Sequence, residues 1–349
     1  MPQHLIDFSS NDYLGLARSS YLTASVRQEL DNFPSPSNGS TGSRLLTGNT
    51  IYAQDLENTI ASFHGYEAGL LFSCGYMANV GLLSVIAGPE DVIFFDAKVH
   101  ASTQDGIRLS RAHAFGFRHN DLEHLEARLK NCSISGNRFI CIESIYSTDG
   151  SMALLSEICL LAKEYETHLI VDEAHAVGIC GSNGRGLVSE KNLTSQVFAQ
   201  VVTFGKAVGA YGAIVMGNNT LKQTLINFAT SYIYTTALPL HSLAVIKSSY
   251  GLFPHLEAER KHLQKLVQLF LKNHDRSSLT HIQALRFKGN ATVKDAAAKL
   301  VQEGFDVRPL MSPTVRRGQE ILRICLHAFN TENEVTRLLE QIQRSDCYA

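Results

Sequence analysis

Seven short runs of β-forming, mostly apolar residues recur through the middle of this chain, at residues 69–73, 92–96, 113–117, 139–143, 169–172, 201–204 and 213–216. Helix-like periodicity fills about 55–63, 76–87, 102–110, 122–130 and 155–166. A helix between two strands carries the chain back to begin a parallel neighbour, a crossover that an antiparallel hairpin does not need. The alternation therefore predicts the α/β class: a mainly parallel seven-stranded sheet with helices on both faces.

The flanks read differently. The first fifty residues are polar, turn-rich and irregular, with a loop by composition at 34–43. Beyond residue 238 come two long helical stretches (241–273, broken near Pro254, and 293–304), an apolar strand at 322–326 and an amphipathic helix at 332–343. With 349 residues there is length for about two domains. The expected division is an N-terminal arm (1–50), a large domain (51–238) and a smaller C-terminal α+β domain (239–349).

A formal charge of −2 gives no electrostatic case for nucleic acid or an anionic membrane as partner. The seven cysteines, at 74, 132, 141, 159, 180, 325 and 347, form no CxxC pair and are odd in number. They read as reduced thiols rather than a disulfide framework or a metal site. The start lacks a basic segment followed by an apolar one, and no apolar run reaches the roughly 20 residues of a membrane helix. A soluble, cytoplasmic protein is expected.

Chemistry concentrates where the runs end. Thr203-Phe204-Gly205-Lys206-Ala207-Val208-Gly209 places a lysine among small residues just past one strand, and Val171-Asp172-Glu173-Ala174-His175 places an Asp and a His at the exit of another. A lysine held that way can form an imine with an aldehyde cofactor, and a poorly hydrated Asp can keep a pyridine nitrogen protonated. Together they read as a pyridoxal phosphate (PLP) site. A metal site or a nucleotide-hydrolysing motif could share the Asp-Glu-Ala-His tetrad, but HExxH and GxxxxGK[ST] are both missing. Gly75 and Tyr76 sit at a strand-to-helix turn suited to a phosphate and a flat ring, and Thr203 offers a hydroxyl near the lysine. His100 follows the 92–96 run, on the sheet edge where α/β ligands bind, and reads as a ligand or an ordinary loop residue. Ser147 reads as a ligand or a turn former beside Asp149-Gly150. Arg323, between Leu322 and Ile324, is either solvent-facing or a guanidinium fork for a carboxylate.

The ordered set of motifs resembles the α-oxoamine synthases, PLP enzymes of fold type I. It comprises Asn11-Asp-Tyr-Leu-Gly-Leu16, Gly42-Ser-Arg-Leu-Leu-Thr-Gly48, Cys74-Gly-Tyr-Met-Ala-Asn79, Val171-Asp-Glu-Ala-His175, Thr203-Phe-Gly-Lys206, Ile233-Tyr-Thr-Thr-Ala-Leu-Pro239 and Ser312-Pro-Thr-Val315 with Leu322-Arg-Ile324. The resemblance implies a PLP-dependent transferase that condenses an amino acid with an acyl thioester and releases CO2. The segments at 234–239 and 312–315 favour L-alanine and a pimeloyl donor, on CoA or an acyl carrier protein, over glycine and acetyl-CoA. It implies Lys206 as the imine lysine, Asp172 on the ring nitrogen, His175 on the ring hydroxyl and His100 stacked on the ring. Gly75, Tyr76, Ser147 and Thr203 would line the cofactor. Thr235 or Thr236 would reach the phosphate of a neighbouring subunit's cofactor, making a homodimer with shared sites. Asn11, Thr314 and Arg323 would face substrate. Family members usually carry a substrate-facing arginine ahead of the motif that begins at Asn11; here the ten residues before it hold no base but His4, and Arg308, Arg316 or Arg317 are the candidate replacements. A different acyl donor, a silent dimer partner and a phosphate-binding module are the competing readings.

Overall fold

All seven predicted runs become strands of one sheet. The computed structural model describes residues 5–274 and 278–344, so His4 and Cys347 lie outside it. The strands are β1 (Ile6–Asp7), β2 (Ala68–Phe72), β3 (Val92–Asp96), β4 (His113–Phe117), β5 (Arg138–Glu143), β6 (His168–Asp172), β7 (Val197–Thr203), β8 (Ala213–Gly217), β9 (Ile282–Phe287), β10 (Phe305–Asp306), β11 (Arg308–Leu310) and β12 (Glu320–Cys325). The α-helices are α1 (Ser20–Leu30), α2 (Ile51–His64), α3 (Gly75–Ile86), α4 (Ala101–Ser110), α5 (Leu122–Lys130), α6 (Leu155–Glu164), α7 (Leu187–Glu190), α8 (Asn219–Phe228), α9 (Thr230–Ile233), α10 (Leu240–Leu252), α11 (Glu257–Asn273), α12 (Asn290–Gln302) and α13 (Glu332–Arg344).

The large sheet has the order β2-β8-β7-β6-β5-β3-β4, parallel from β7 to β4, with β8 antiparallel to both its neighbours. Every residue of β2 and β8 is buried, as a sheet covered on both faces requires. Leu70, Phe72, Leu82, Ile93, Phe139, Ile170, Val201 and Val215 form the centre of one core cluster.

The chain divides into two units. The larger comprises Leu16–Ile145 and Ala153–His255. The smaller takes the N-terminal segment through Gly15, Tyr146–Met152, and the chain from Leu256 onward. It contains the antiparallel sheet β11-β12-β9 and the short parallel pair of β1 with β10. The division is finer than boundaries at 50 and 238, because residues 16–50 and 239–255 group with the larger unit.

One expectation is corrected. The first fifty residues are not uniformly irregular: Ser19 accepts from the Leu22 amide at 3.2 Å and caps α1. Only Leu22 and Val26 of that helix are buried, a stripe too thin to announce itself in sequence.

Candidate active site

Because β2 and β7 both oppose β8, they run the same way, and their carboxyl ends share one edge with those of β3, β5 and β6. Topology thus brings Gly75, His100, Asp172 and Lys206, far apart in sequence, to the exits of β2, β3, β6 and β7 in the larger unit. Ligands of such sheets bind outside this edge.

Lys206 lies in a tight turn closed by the Gly209 amide on the Lys206 carbonyl (2.9 Å) and the Ala210 amide on the Phe204 carbonyl (2.8 Å). Gly209 has φ +66°, and a Cβ there would come within 2.6 Å of Leu16 and Ala17, so the turn requires glycine. A Cβ on Gly205, by contrast, would meet nothing nearer than the Ala210 carbonyl at 3.8 Å, leaving room beside the half-buried lysine.

At the start of α3 the N-cap is Cys74, whose side chain makes no capping hydrogen bond. The first amides of α3 are therefore left for another acceptor. A Cβ on Gly75 would sit 3.2 Å from the Cβ and Oγ1 of half-buried Thr203, so glycine keeps that approach open. Tyr76 is partly exposed, edge-on to the His100 ring at 6.4 Å, and its hydroxyl donates to Asp105.

Asp172 Oδ1 accepts from the Ala174 amide at 2.9 Å and Oδ2 from Asn79 Nδ2 at 2.8 Å. His175 is buried in the turn that follows β6. The pKa of His100 is lowered, mainly by burial; the charge of Asp172 opposes the shift and that of Lys206 adds to it. Asp172 and Lys206 therefore both act on His100 electrostatically. Half-buried Thr235 and exposed Thr236 lie beyond α9, where Thr236 bridges to Ser43 and the Ala237 amide donates to the Gly42 carbonyl at 3.0 Å.

In the smaller unit, Arg323 donates from Nε to the Ser147 carbonyl (2.8 Å) and from Nη2 to Asn11 Oδ1 (3.1 Å) and the Tyr13 hydroxyl (3.4 Å). Nη1 reaches Cys325 Sγ at 3.0 Å. Burial raises the pKa values of Tyr13 and Cys325, leaving both neutral. Arg323 is thus a half-buried cation with uncharged neighbours and, among the described residues, no acid paired to it. Ser147 and Asn11 meet here, whereas Thr314 is exposed in the turn between β11 and β12, outside this cluster. Arg308 is exposed and paired with Asp306 at 2.9 Å, and Arg316 and Arg317 are exposed.

Residues 3–342 match the aminotransferase class I and II family. The chain belongs to that family. It is 41% identical to the 8-amino-7-oxononanoate synthase of Emericella nidulans over 98% of this chain and 89% of that protein. It is 40% identical to a putative 8-amino-7-oxononanoate synthase of Neisseria meningitidis over 95% and 89%. Among solved structures, a variant of serine palmitoyltransferase from S. paucimobilis with bound PLP and myriocin superposes with a TM-score of 0.91 at 27% identity, covering 98% of this chain and 87% of that one. The 8-amino-7-oxononanoate synthase of Francisella tularensis gives 0.83 at 30% identity and 97% of each chain. The fold is that of type I PLP enzymes, and this family member is a PLP-dependent acyltransferase.

The residues fit that cofactor. The uncapped amides of α3 suit a phosphate, Asp172 is an acceptor anchored on both oxygens, and Lys206 stands beside open space. Sequence reasoning gave no role to Asn79, Ser102, Tyr13 or Glu173. Asn79 did carry a signal: it is a polar residue beside Ala78, Leu82 and Leu83 on the buried side of α3.

Proposed function

We propose that this enzyme condenses L-alanine with a pimeloyl thioester, releasing the thiol and CO2 and yielding 8-amino-7-oxononanoate. The observation that carries an α-amino acid as substrate is Arg323, a half-buried guanidinium among neutral groups, which a carboxylate would complement. The pimeloyl donor is supported by the names of the relatives at about 40% identity and by the segments at 234–239 and 312–315.

When bound, PLP supplies an aldehyde that takes the amino group and a ring that accepts negative charge from the neighbouring carbon. Asp172 would hold the proton on the ring nitrogen and His175 the ring hydroxyl, while the α3 amides with Gly75, Thr203 and Tyr76 would hold the rest. Ser147 is assigned to the same lining. Lys206 Nζ would take the Cα proton. Cα then bonds to the acyl carbonyl carbon as the thiolate leaves. Loss of CO2 breaks the bond to the carboxylate that Arg323, Asn11 and Thr314 position, and Lys206 returns a proton to Cα. His100 would cover the ring and hydrogen-bond the acyl oxygen or the carboxylate. Thr235 or Thr236 serves the phosphate of a second copy's site, so the enzyme works as a homodimer in the cytoplasm.

Steady-state assays should pair L-alanine, glycine and L-serine with pimeloyl, acetyl and palmitoyl thioesters, on CoA and on carrier protein. The highest kcat/KM is expected for alanine with a pimeloyl donor. A higher value for glycine with acetyl-CoA, or for serine with palmitoyl-CoA, would replace this reading.

A further inference from the structure

Four hydrogen bonds join His100 to Asp172 through two residues, Asn79 and Ser102, to which the sequence motifs assigned no role. Asn79 is buried in α3, and its Nδ2 donates to Asp172 Oδ2 at 2.8 Å and to Ser102 Oγ at 3.0 Å. Ser102 is buried in the first turn of α4. Its Oγ lies 2.8 Å from His100 Nδ1, and its amide donates to the same nitrogen at 3.2 Å. His100 is also the N-cap of α4, so its ring nitrogen takes the place of the usual capping oxygen.

The chemistry of these groups gives the chain one direction. An ionised carboxylate only accepts, so Asn79 must turn its amide hydrogens, not its oxygen, toward Asp172. The second hydrogen occupies Ser102 Oγ, whose own proton then goes to Nδ1. With two donors aimed at it, Nδ1 carries no proton, and the imidazole proton sits on Nε2. Gly106 makes the arrangement possible: a Cβ there would lie 2.8 Å from the Asn79 carbonyl and 2.9 Å from Leu83. One turn from Ser102 on the same face, it lets α4 approach α3 closely.

We propose that Asn79 and Ser102 are positioning residues that hold His100 as its Nε2–H tautomer and orient Asp172. This rests on the assignment of His100 and Asp172 to the cofactor pocket. The charged groups facing His100 are Asp172 and Lys206, with the Tyr76 ring at its edge. An Nε2–H donor suits an acyl oxygen that gains negative charge.

Long-range proton–nitrogen NMR of holoenzyme labelled with [15N]histidine, assigned with His100→Gln, tests this without reference to substrate. Wild type should show His100 neutral with its proton on Nε2 across pH 6–8. Ser102→Ala should give mixed tautomers and, by loosening the ring, lower kcat/KM by about 100-fold. Ser102→Thr should restore both. Asn79→Ala should weaken the Nε2–H preference in the same direction. A wild-type His100 with its proton on Nδ1, or charged at pH 7, overturns the proposal even if no variant folds. So does Ser102→Ala with an unchanged His100 spectrum. An acyl donor other than pimeloyl would alter the substrate assays alone and leave these spectra as they are.

Discussion

At the residue scale, Lys206 and Arg323 are both cations of the candidate site, yet they are proposed to fail differently. Lys206 stands where small neighbours leave space, so its loss removes proton transfer at Cα. Lys206→Ala should lower kcat by about 10,000-fold, the upper range for a general acid–base group. Arg323 is held by Asn11, Tyr13 and Ser147 and contributes binding. Arg323→Ala should raise the KM for the amino acid by about 10- to 100-fold, the equivalent of one charged hydrogen bond. Steady-state kinetics separates the two, and a reversed pattern would exchange the roles. Both residues were legible because their types and small or alternating neighbours are chemical signals. Ser102 was not, and Asn79 showed only as a polar residue on an apolar face, because nothing in a linear sequence says that α3 and α4 touch there.

At the element scale, the tetrad after β6 divides its labour. Asp172 and His175 are proposed to hold the cofactor, while Glu173 is fully buried and accepts the Leu187 and Val188 amides at 2.7 and 3.1 Å and a hydrogen bond from Gln200 Nε2 at 3.0 Å. It therefore anchors the start of α7 to β7. Burial raises its pKa from 4.5 to about 7, against the pull of those amides. A carboxyl group with a raised folded pKa binds more protons when native than when unfolded. Its contribution to stability therefore falls as pH rises from about 4.5 to 7 and is flat above. Buried His64 and His281, each lowered to about 3, act oppositely by losing stability as pH falls below 6.5. The clean readout is the difference between wild type and Glu173→Gln in thermal melts. It should favour wild type more at pH 5.5 than at pH 7.5, within a ceiling of about 3 kcal/mol. No change in that difference would mean that Glu173 stays ionised throughout. A second anchor, Glu57, pairs with Arg44 at 2.8 Å and Lys222 at 2.9 Å and pins the 42–48 loop to α2. Neither role shows in sequence, since an Asp-Glu pair or a loop arginine reads the same whether buried or exposed.

At the scale of the whole molecule, apolar side chains collect where a single chain leaves them uncovered. Leu46 is 79% exposed, Ile51 77% and Tyr234 83%, and the Ser43–Thr236 bridge joins the segments that carry them. This is the surface on which a second copy is proposed to sit and to receive Thr235 or Thr236. Light scattering should give a dimer. Mixing inactive Lys206→Ala with an impaired double variant, Thr235→Val with Thr236→Val, should restore activity in about a quarter of the sites, since random pairing makes about half the dimers mixed and each mixed dimer has one complete site. No recovery in a verified mixed dimer would show that each site is complete within one chain.

The sequence by itself determined the fold class, the seven strands of the large sheet, and the lysine and aspartate that point to PLP. Periodicity and residue chemistry are local, and strands buried on both faces write themselves as apolar runs. The tertiary structure alone decided what required distant segments to meet. It reversed β8 against its neighbours, drew Asn11, Ser147 and Arg323 into one hydrogen-bonded cluster, and set Asn79 against Ser102 where Gly106 lets two helices close together. Those arrangements depend on packing between elements, which residue spacing along a chain does not encode.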